Sequence, residues 1–186
     1  MNVAAAAVVG VACSGGSTTS RPGGSTRVPS TPVATAQLAE RCAPPYPTAP
    51  IKAETVYCAD PATMEPARVV RIVDGDTLHV ELDGRDETIR LYGVDTPERG
   101  EPCFAEATEA LRGFGGAEVR LRRDARDRDR YGRLLRYVYA PDGRSVDAKL
   151  VAAGVAHAWT SDGALKRPLI ELEDSARVAH IGCLWR

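Results

Sequence analysis

Two alternating segments joined by an Asp-Gly pair constrain the fold of this chain more than any other feature. From Leu78 to Asp83, apolar residues alternate with polar or charged ones, which is the pattern of a half-buried strand. Asp83-Gly84 favours a tight hairpin turn, and a second alternating segment, residues 88–93, follows it. The sequence therefore predicts an antiparallel hairpin, and a hairpin brings its two open ends together.

Acidic side chains stand at both open ends of this hairpin. Asp76 begins the first strand and Asp95 follows the second, so we expect their carboxylates to converge. Two adjacent carboxylates repel each other unless a cation lies between them, and oxygen ligands suit Ca²⁺ or Mg²⁺ rather than zinc. The alternative interpretation is a pair of Asx-capped turns. Arg90 on the return strand and Glu98, in the loop stiffened by Pro97, favour a metal-assisted phosphodiesterase site.

These motifs resemble those of the thermonuclease (staphylococcal-nuclease-like) family. The family pattern is D-G-D-T, an arginine on the following strand and V-D-T-P-E, and the chain also carries the family's Y-G-R motif at residues 131–133. The similarity extends over roughly residues 68–185. The resemblance implies an α+β fold, built as a five-stranded OB-fold β-barrel with a few helices (about three), and it implies hydrolysis of DNA and RNA with Ca²⁺.

The resemblance also implies a role for each residue of the site, either as a ligand of Ca²⁺ or as a group that acts on the phosphodiester. The implied metal ligands are Asp76, Asp95 and the backbone carbonyl of Thr96. The implied catalytic residues are Glu98, which orients or deprotonates water, and Arg90 and Arg133, which clamp the phosphate.

Residues around the second motif are expected to contact the substrate. We expect the Tyr131 ring to pack on a sugar or base and Arg130 to meet a flanking phosphate. Trp159 is the nearest match to the aromatic residue that stacks on the substrate base in the family. Asp129 fits the family pattern D-x-Y-G-R, in which an acid holds the loop. Most other arginines of residues 120–136 are expected to form a solvated loop that pairs with its own acids.

Alternation and helical periodicity predict the remaining elements of a domain at residues 67–186. Three further strands are predicted at 67–73, 117–122 and 135–139, and three helices at 104–114, at 145–151 and from Pro168 onward. Ala179 is expected to face inward on the last helix, and the Trp185 ring is expected to close the core.

The N-terminal third of the chain indicates export. Residues 1–13 combine an apolar stretch too short to span a bilayer with the sequence V-G-V-A-C, which predicts a signal peptide and a lipobox with Cys13 as the lipidated residue. A plain cleaved signal peptide and a disordered apolar tip are the alternatives. Residues 14–32 are rich in Gly, Ser, Thr and Pro and predict a disordered tether. Residues 33–66 predict an irregular segment that contains cysteines.

Cysteine number and spacing agree with export. With Cys13 assigned to lipid, four cysteines remain, an even number that suits two disulfides in an oxidising compartment. We pair Cys42 with Cys58 because they are close in sequence, and Cys103 with Cys183 by elimination. No pair has CxxC spacing, so a zinc site is not expected.

Net charge helps to separate the classes of function. A net charge of −1 gives no global basic signature of a nucleic-acid-binding protein, but an enzyme that releases its product needs only a local positive site. The predicted function is a secreted or surface-anchored, monomeric, Ca²⁺-dependent nuclease. It is expected to cleave DNA and RNA to 3′-phosphate ends and to touch a membrane only through its lipid anchor. The alternative is a non-catalytic OB-fold module that binds nucleic acid or a protein, but such relatives usually lose some of the acids or arginines that this chain retains.

Overall fold

The computed structural model describes residues 57–186. The predicted signal peptide with Cys13, the predicted tether, and Cys42 with most of the segment 33–66 lie outside the described residues. Of the two predicted disulfides, only the pairing of Cys103 with Cys183 therefore falls wholly within them.

Ten regular elements besides a short 3-10 helix, Pro61–Thr63, make up the described part of the chain. The strands are β1 (Glu65–Ile72), β2 (Thr77–Leu82), β3 (Arg85–Leu91), β4 (Val94–Asp95), β5 (Glu118–Arg122), β6 (Leu134–Tyr139) and β7 (His157–Ala158). The helices are α1 (Phe104–Gly115), α2 (Val146–Ala152) and α3 (Lys166–Val178). Among residues 57–186, none of the helices has the length and apolar character needed to cross a membrane.

Five of these strands close into a barrel in the order β1-β2-β3-β6-β5. β3 pairs with β6 in parallel, and the other neighbours pair antiparallel. Asp83 and Gly84 form the β2–β3 turn with φ of 50° and 74°. Positive φ at both residues is what a two-residue turn needs if its twist is to match that of the strands. The predicted fold, a five-stranded barrel with three helices, is confirmed.

The barrel interior and the face of α2 form one core. The apolar residues of the predicted alternation, such as Leu78, Val80 and Ile89, are almost fully buried. All six residues of β6 are buried, because this strand is covered on both faces. α2 packs against both other helices and against β6, and the Ser145 hydroxyl caps its N-terminus by accepting a hydrogen bond from the Ala148 N–H.

A small second sheet, which the sequence pattern does not predict, holds the chain that carries Asp95. β4 pairs antiparallel with β7, with Asp95 opposite His157. The Trp159 N–H then donates to the Gly93 carbonyl over 2.9 Å. Strands of two residues have no readable periodicity, so the pairing that places Trp159, implied as a substrate contact by the family resemblance, next to Gly93 is seen only in the folded chain.

Three expectations for the C-terminal region are wrong. α3 begins at Lys166 rather than Pro168, because proline is tolerated in the first turn of a helix. The helix ends at Val178, so Ala179 is exposed rather than facing inward. Trp185 is partly exposed, and its ring packs edge-on against His157 at 5.3 Å between ring centres rather than in the core.

The predicted disulfide between Cys103 and Cys183 is confirmed, with Cα atoms 5.6 Å apart and 80 residues between them in sequence. Cys103 directly precedes α1, so the bond ties the start of this helix to the C-terminal segment. Cys58 is buried. Since Cys42 lies outside the described residues, its pairing with Cys58 stays a prediction.

A buried carboxylate joins α2 to the chain near the predicted site. Asp147 is fully buried and accepts hydrogen bonds from the Gly93 N–H at 3.0 Å and the Val138 N–H at 2.8 Å. Burial raises the pKa of Asp147 to about 6, although the two backbone donors oppose the shift. Asp147 thus ties the segment between β3 and β4 to α2 and β6.

Removing the Cys103–Cys183 disulfide should destabilise the protein. The double variant Cys103→Ala, Cys183→Ala should lose about 2–5 kcal/mol of unfolding free energy, since the bond closes a long loop and so restricts the unfolded chain. Urea unfolding followed by circular dichroism measures the change. A double variant that unfolds at the parent's urea concentration would contradict this account of the bond.

The stability contribution of Asp147 should fall as pH rises. The folded-state pKa of about 6 lies above the ordinary value of 3.8, so the unfolded chain releases this proton first. As the pH rises from 3.8 to about 6, the unfolding free energy of the parent should therefore fall relative to that of Asp147→Asn. The fall should be at most about 1.4 kcal/mol per pH unit. Urea titrations at a series of pH values test this, and a difference that grows with pH would be incompatible with the raised pKa.

Candidate active site

Arg90, the penultimate residue of β3, lies between the two predicted metal-ligating carboxylates. Its Nε is 3.2 Å from Asp76 Oδ1, and its Nη2 donates to Asp95 Oδ1 at 2.6 Å. Its Nη1 donates to the carbonyls of Leu91 and Val94, at 2.8 and 2.6 Å. The open ends of the hairpin therefore converge as predicted, and a guanidinium rather than empty space separates the two acids.

Asp76 is the buried anchor of this cluster. Its Oδ2 accepts hydrogen bonds from the Thr96 N–H at 2.9 Å and the Thr96 hydroxyl at 2.8 Å, while its Oδ1 accepts from the Thr77 hydroxyl at 3.0 Å. Gly75 permits the close approach, since a Cβ there would lie 2.8 Å from Thr96 Oγ1 and 2.7 Å from the Ala107 side chain. The D-G-D-T and D-T-P-E motifs are thus one hydrogen-bonded unit.

The acids of this unit offer hard oxygen donors. Burial, and then the neighbouring charge of Asp76, raise the pKa of Asp74. Carboxylate oxygens are the donors that suit Ca²⁺ or Mg²⁺. Within residues 57–186, no group of three or more His, Cys, Asp or Glu side chains is placed to hold a metal. A cation bound by Asp76 and Asp95 therefore needs a carbonyl, water or substrate to complete its shell.

Glu98 lies in the exposed turn that leads from β4 to α1. Its N–H donates to Glu101 Oε2 at 2.8 Å, and its carbonyl accepts from the Glu101 N–H at 2.9 Å. The turn is therefore held by its own residues, and the disulfide at Cys103 fixes its far end.

Arg133 is placed by the acid of its own loop. Asp129 Oδ2 accepts from Arg133 Nε at 2.6 Å, and Asp129 Oδ1 accepts from the N–H groups of Tyr131 and Arg133 at 2.9 and 3.0 Å. Burial raises the pKa of Asp129, but these hydrogen bonds outweigh it and hold the pKa below its ordinary value. Gly132 has a φ of 82°, a conformation that glycine adopts without strain.

Thr77 connects the two arginines. Its hydroxyl donates to Asp76, and it accepts from Arg133 Nη1 at 3.4 Å. The phosphate clamps predicted from separate motifs, Arg90 and Arg133, therefore border the same part of the barrel.

A cavity of about 430 Å³ opens beside both arginines. Its lining is rich in guanidinium groups and aromatic rings: Arg90, Leu91, Tyr92, Arg126, Asp129, Arg130, Tyr131, Arg133, Leu135 and Trp159. All three predicted substrate-contacting residues are among them. The Tyr131 ring is 68% exposed and lies 4.7 Å from the Arg130 guanidinium carbon and 5.4 Å from that of Arg133.

Comparison with known proteins agrees with this geometry. Residues 88–186 match the family model described as staphylococcal nuclease homologue. The chain belongs to the staphylococcal nuclease homologue family. The nuclease class of hydrolase predicted from the sequence is thereby confirmed.

Individual relatives of the chain include nucleases. Protein ParB of Escherichia coli is 36% identical over an alignment of 137 residues that covers 68% of this chain and 76% of that protein. An uncharacterized endonuclease of Escherichia coli O157:H7 is 36% identical over 132 residues, 70% of this chain and 80% of its own length. The thermonuclease of Staphylococcus hyicus is 38% identical over 99 residues, 49% of this chain and 57% of that protein.

Sequence reasoning missed three residues of the cavity region: Tyr92, Arg126 and Asp162. Tyr92 reads as an ordinary strand residue, and Arg126 is one of many arginines in a loop expected to be solvated. Arg123 of that loop pairs with the loop's own Asp127, as expected. Arg126 instead pairs with Asp162 at 3.1 Å and Arg128 with Glu87 at 2.8 Å, 36 and 41 residues away. Nothing in the local sequence marks such a long-range pair.

Loss of the Thr96 hydroxyl should disturb the buried Asp76 carboxylate. Thr96→Val keeps the side-chain shape and the backbone donor, but it removes one hydrogen bond to a buried charge, which should cost about 1–3 kcal/mol of unfolding free energy. It should also lower the rate of DNA cleavage, because Asp76 loses its orientation. Thr108→Val is a matched control, since the Thr108 hydroxyl bonds only a helix carbonyl, that of Phe104. Equal effects of the two substitutions on cleavage would show that Thr96 has no special part in the site.

Proposed function

We propose that this chain is an exported, Ca²⁺-dependent nuclease that hydrolyses phosphodiester bonds of DNA and RNA and leaves 3′-phosphate ends. The observation that carries the proposal is the junction at Asp76 and Thr77, where two acid-held arginines border one cavity. A site of this kind suits an anionic diester whose negative charge grows during the reaction.

The two arginines would act on the phosphoryl oxygens. Arg90 and Arg133 each have a guanidinium held by carboxylates, so little reorganisation is needed when a phosphate enters. Preorganised donors stabilise charge that develops in the transition state better than charge in the ground state. Arginine also offers a planar, two-point contact to phosphate that lysine lacks.

Glu98 would act on the attacking water. The carboxylate takes a proton from water as the new oxygen–phosphorus bond forms, and the bond from phosphorus to the 5′ oxygen breaks in line with it. The released 5′ oxygen takes a proton from solvent, and the phosphate stays on the 3′ oxygen. An exposed turn suits this role, because the water must reach the base.

Asp76, Asp95 and the Thr96 carbonyl would hold the Ca²⁺. When bound, the ion supplies a Lewis acid that draws charge from a non-bridging phosphoryl oxygen. The support for this assignment is the donor chemistry, namely carboxylate oxygens at the converging ends of the hairpin. Arg90 contacts both carboxylates, so it must share them with the ion.

The cavity would bind the nucleotides that flank the scissile bond. Arg130 is placed to meet a neighbouring phosphate, while Tyr131 and Trp159 present rings to a sugar or base. A volume of about 430 Å³ falls within the range of ordinary ligand sites.

Export and anchoring complete the proposal. A disulfide between Cys103 and Cys183 is typical of proteins that work in an oxidising compartment. We propose a monomer that is secreted, or tethered at the cell surface by lipid on Cys13.

The alternative, a non-catalytic OB-fold module, is less well supported because the arginines and acids of the site are all present.

The test is cleavage of single-stranded DNA by the purified protein, with Ca²⁺ and with excess chelator, followed by mapping of the ends. Cleavage to 3′-phosphate ends should require Ca²⁺. Binding of DNA without cleavage would favour the alternative module, and undiminished cleavage in chelator would refute the metal assignment.

Substitution of Glu98 should separate catalysis from binding. Glu98→Gln should lower kcat about 100-fold or more while leaving oligonucleotide binding nearly unchanged, because only the activation of water is lost. Glu109→Gln is the control, since Glu109 forms an exposed ion pair with Arg112 on α1. Cleavage by Glu98→Gln at the parent's rate would exclude Glu98 as the base.

Arg133→Lys should remain a poor enzyme, with kcat lowered about 100-fold, because an ammonium cannot reproduce the two-point contact of a preorganised donor. Arg112→Lys, at the exposed pair on α1, should cleave like the parent. Steady-state kinetics on one DNA substrate compares the two, and near-parental kcat in Arg133→Lys would remove Arg133 from the catalytic set.

A further inference from the structure

Three side chains that line the cavity donate to one carboxylate. Asp162 Oδ2 accepts from the Tyr92 hydroxyl at 3.0 Å, and Asp162 Oδ1 accepts from Trp159 Nε1 at 2.8 Å and from Arg126 Nη2 at 3.1 Å. Tyr92 follows β3, Arg126 lies between β5 and β6, and Trp159 follows β7. Asp162 is therefore the shared partner of three separate segments of the chain.

We propose that Asp162 is a positioning residue that holds Tyr92, Arg126 and Trp159 together as one nucleobase subsite. The inference rests on the proposed nuclease function, in which the Trp159 ring meets a sugar or base. The subsite lies in the same cavity as Arg90 and Arg133, so its occupant is the base of a nucleotide next to the cleaved phosphodiester.

The geometry of the cluster provides flat surfaces. The Arg126 guanidinium carbon lies 5.5 Å from the centre of the Tyr92 ring, and the Tyr92 and Tyr137 rings are 5.3 Å apart. Tyr92 is buried, and the ion pair with Asp162 holds the Arg126 guanidinium beside its ring. Unpaired bases stack on aromatic rings and on guanidinium planes. Arg126 and the Trp159 indole are thus the surfaces on which a base would rest.

Charge favours a base over a phosphate at this position. Asp162 neutralises Arg126 at 3.1 Å, so the cluster carries no net charge from this pair, and a second anion would be repelled by the carboxylate. Burial raises the pKa of Tyr92, so its hydroxyl remains a donor to Asp162. A neutral, planar nucleobase fits such a surface. The base must be unpaired to enter the cavity.

The inference predicts an effect on substrate affinity and not on chemistry. Loss of a stacking surface weakens nucleic-acid binding by about 5- to 100-fold. Asp162→Asn should therefore raise KM for a short single-stranded DNA about tenfold, with kcat within about twofold of the parent. Asp142→Asn is a matched control, because Asp142 also forms a half-exposed ion pair, with Arg144, and should leave both constants unchanged.

A fluorescence measurement reports on the subsite without cleavage. The protein has two tryptophans, so Trp185→Phe leaves Trp159 as the only one, and Glu98→Gln in the same chain slows turnover during the measurement. Binding of a short thymidine oligonucleotide should change the Trp159 emission. An oligonucleotide of equal length built from abasic residues should bind more weakly and change it little, and Asp162→Asn should remove the difference between the two probes.

Several outcomes would overturn the inference. Equal binding of both probes would show that no base enters the cavity. An unchanged KM and unchanged emission in Asp162→Asn would show that the carboxylate positions nothing, and a fall in kcat with KM unchanged would show a different role. If the parent binds the probes as expected but cleaves no DNA, the proposed function fails while the subsite stands.

Discussion

The buried carboxylate of Asp76 is the contact on which the rest of the site depends. A charge taken out of water is tolerated only with close partners, and Asp76 has donors from Thr77, Thr96 and Arg90. Thr77 lies on β2, Arg90 lies on β3, and Thr96 lies in the loop that follows β4. Satisfying one carboxylate therefore fixes the relative positions of both family motifs, and with them the phosphate clamp.

The barrel makes this arrangement rigid. β3 pairs with β2 on one side and β6 on the other, so Arg90 projects from a strand that cannot shift in register without exposing its apolar face. Behind it, Asp147 bonds the backbone at Gly93, and β7 pairs with β4. Arginine is concentrated locally: the chain has a net charge of −1, yet four arginines line one cavity.

Much of the fold and of the site could be predicted because it is encoded locally. Alternation and the Asp83-Gly84 turn specify the hairpin, and the motifs name Asp76, Arg90 and Asp95 in sequence order. An even number of remaining cysteines and the closeness of Cys42 to Cys58 in sequence led to the Cys103–Cys183 pair by elimination. The contacts that escaped prediction join distant segments: β4 pairs with β7, and Asp162 collects donors up to 70 residues away. Such contacts leave no periodic pattern, and an arginine-rich loop does not show which arginine pairs with a distant acid.

A crystal structure of the protein with Ca²⁺ and a non-cleavable single-stranded oligonucleotide would test the central claim most directly. The account predicts an ion bound by Asp76 and Asp95, with Arg90 and Arg133 donating to the oxygens of one phosphate between them. An ion bound elsewhere, or a phosphate that contacts neither arginine while Arg90 keeps its pairing with both acids, would contradict it.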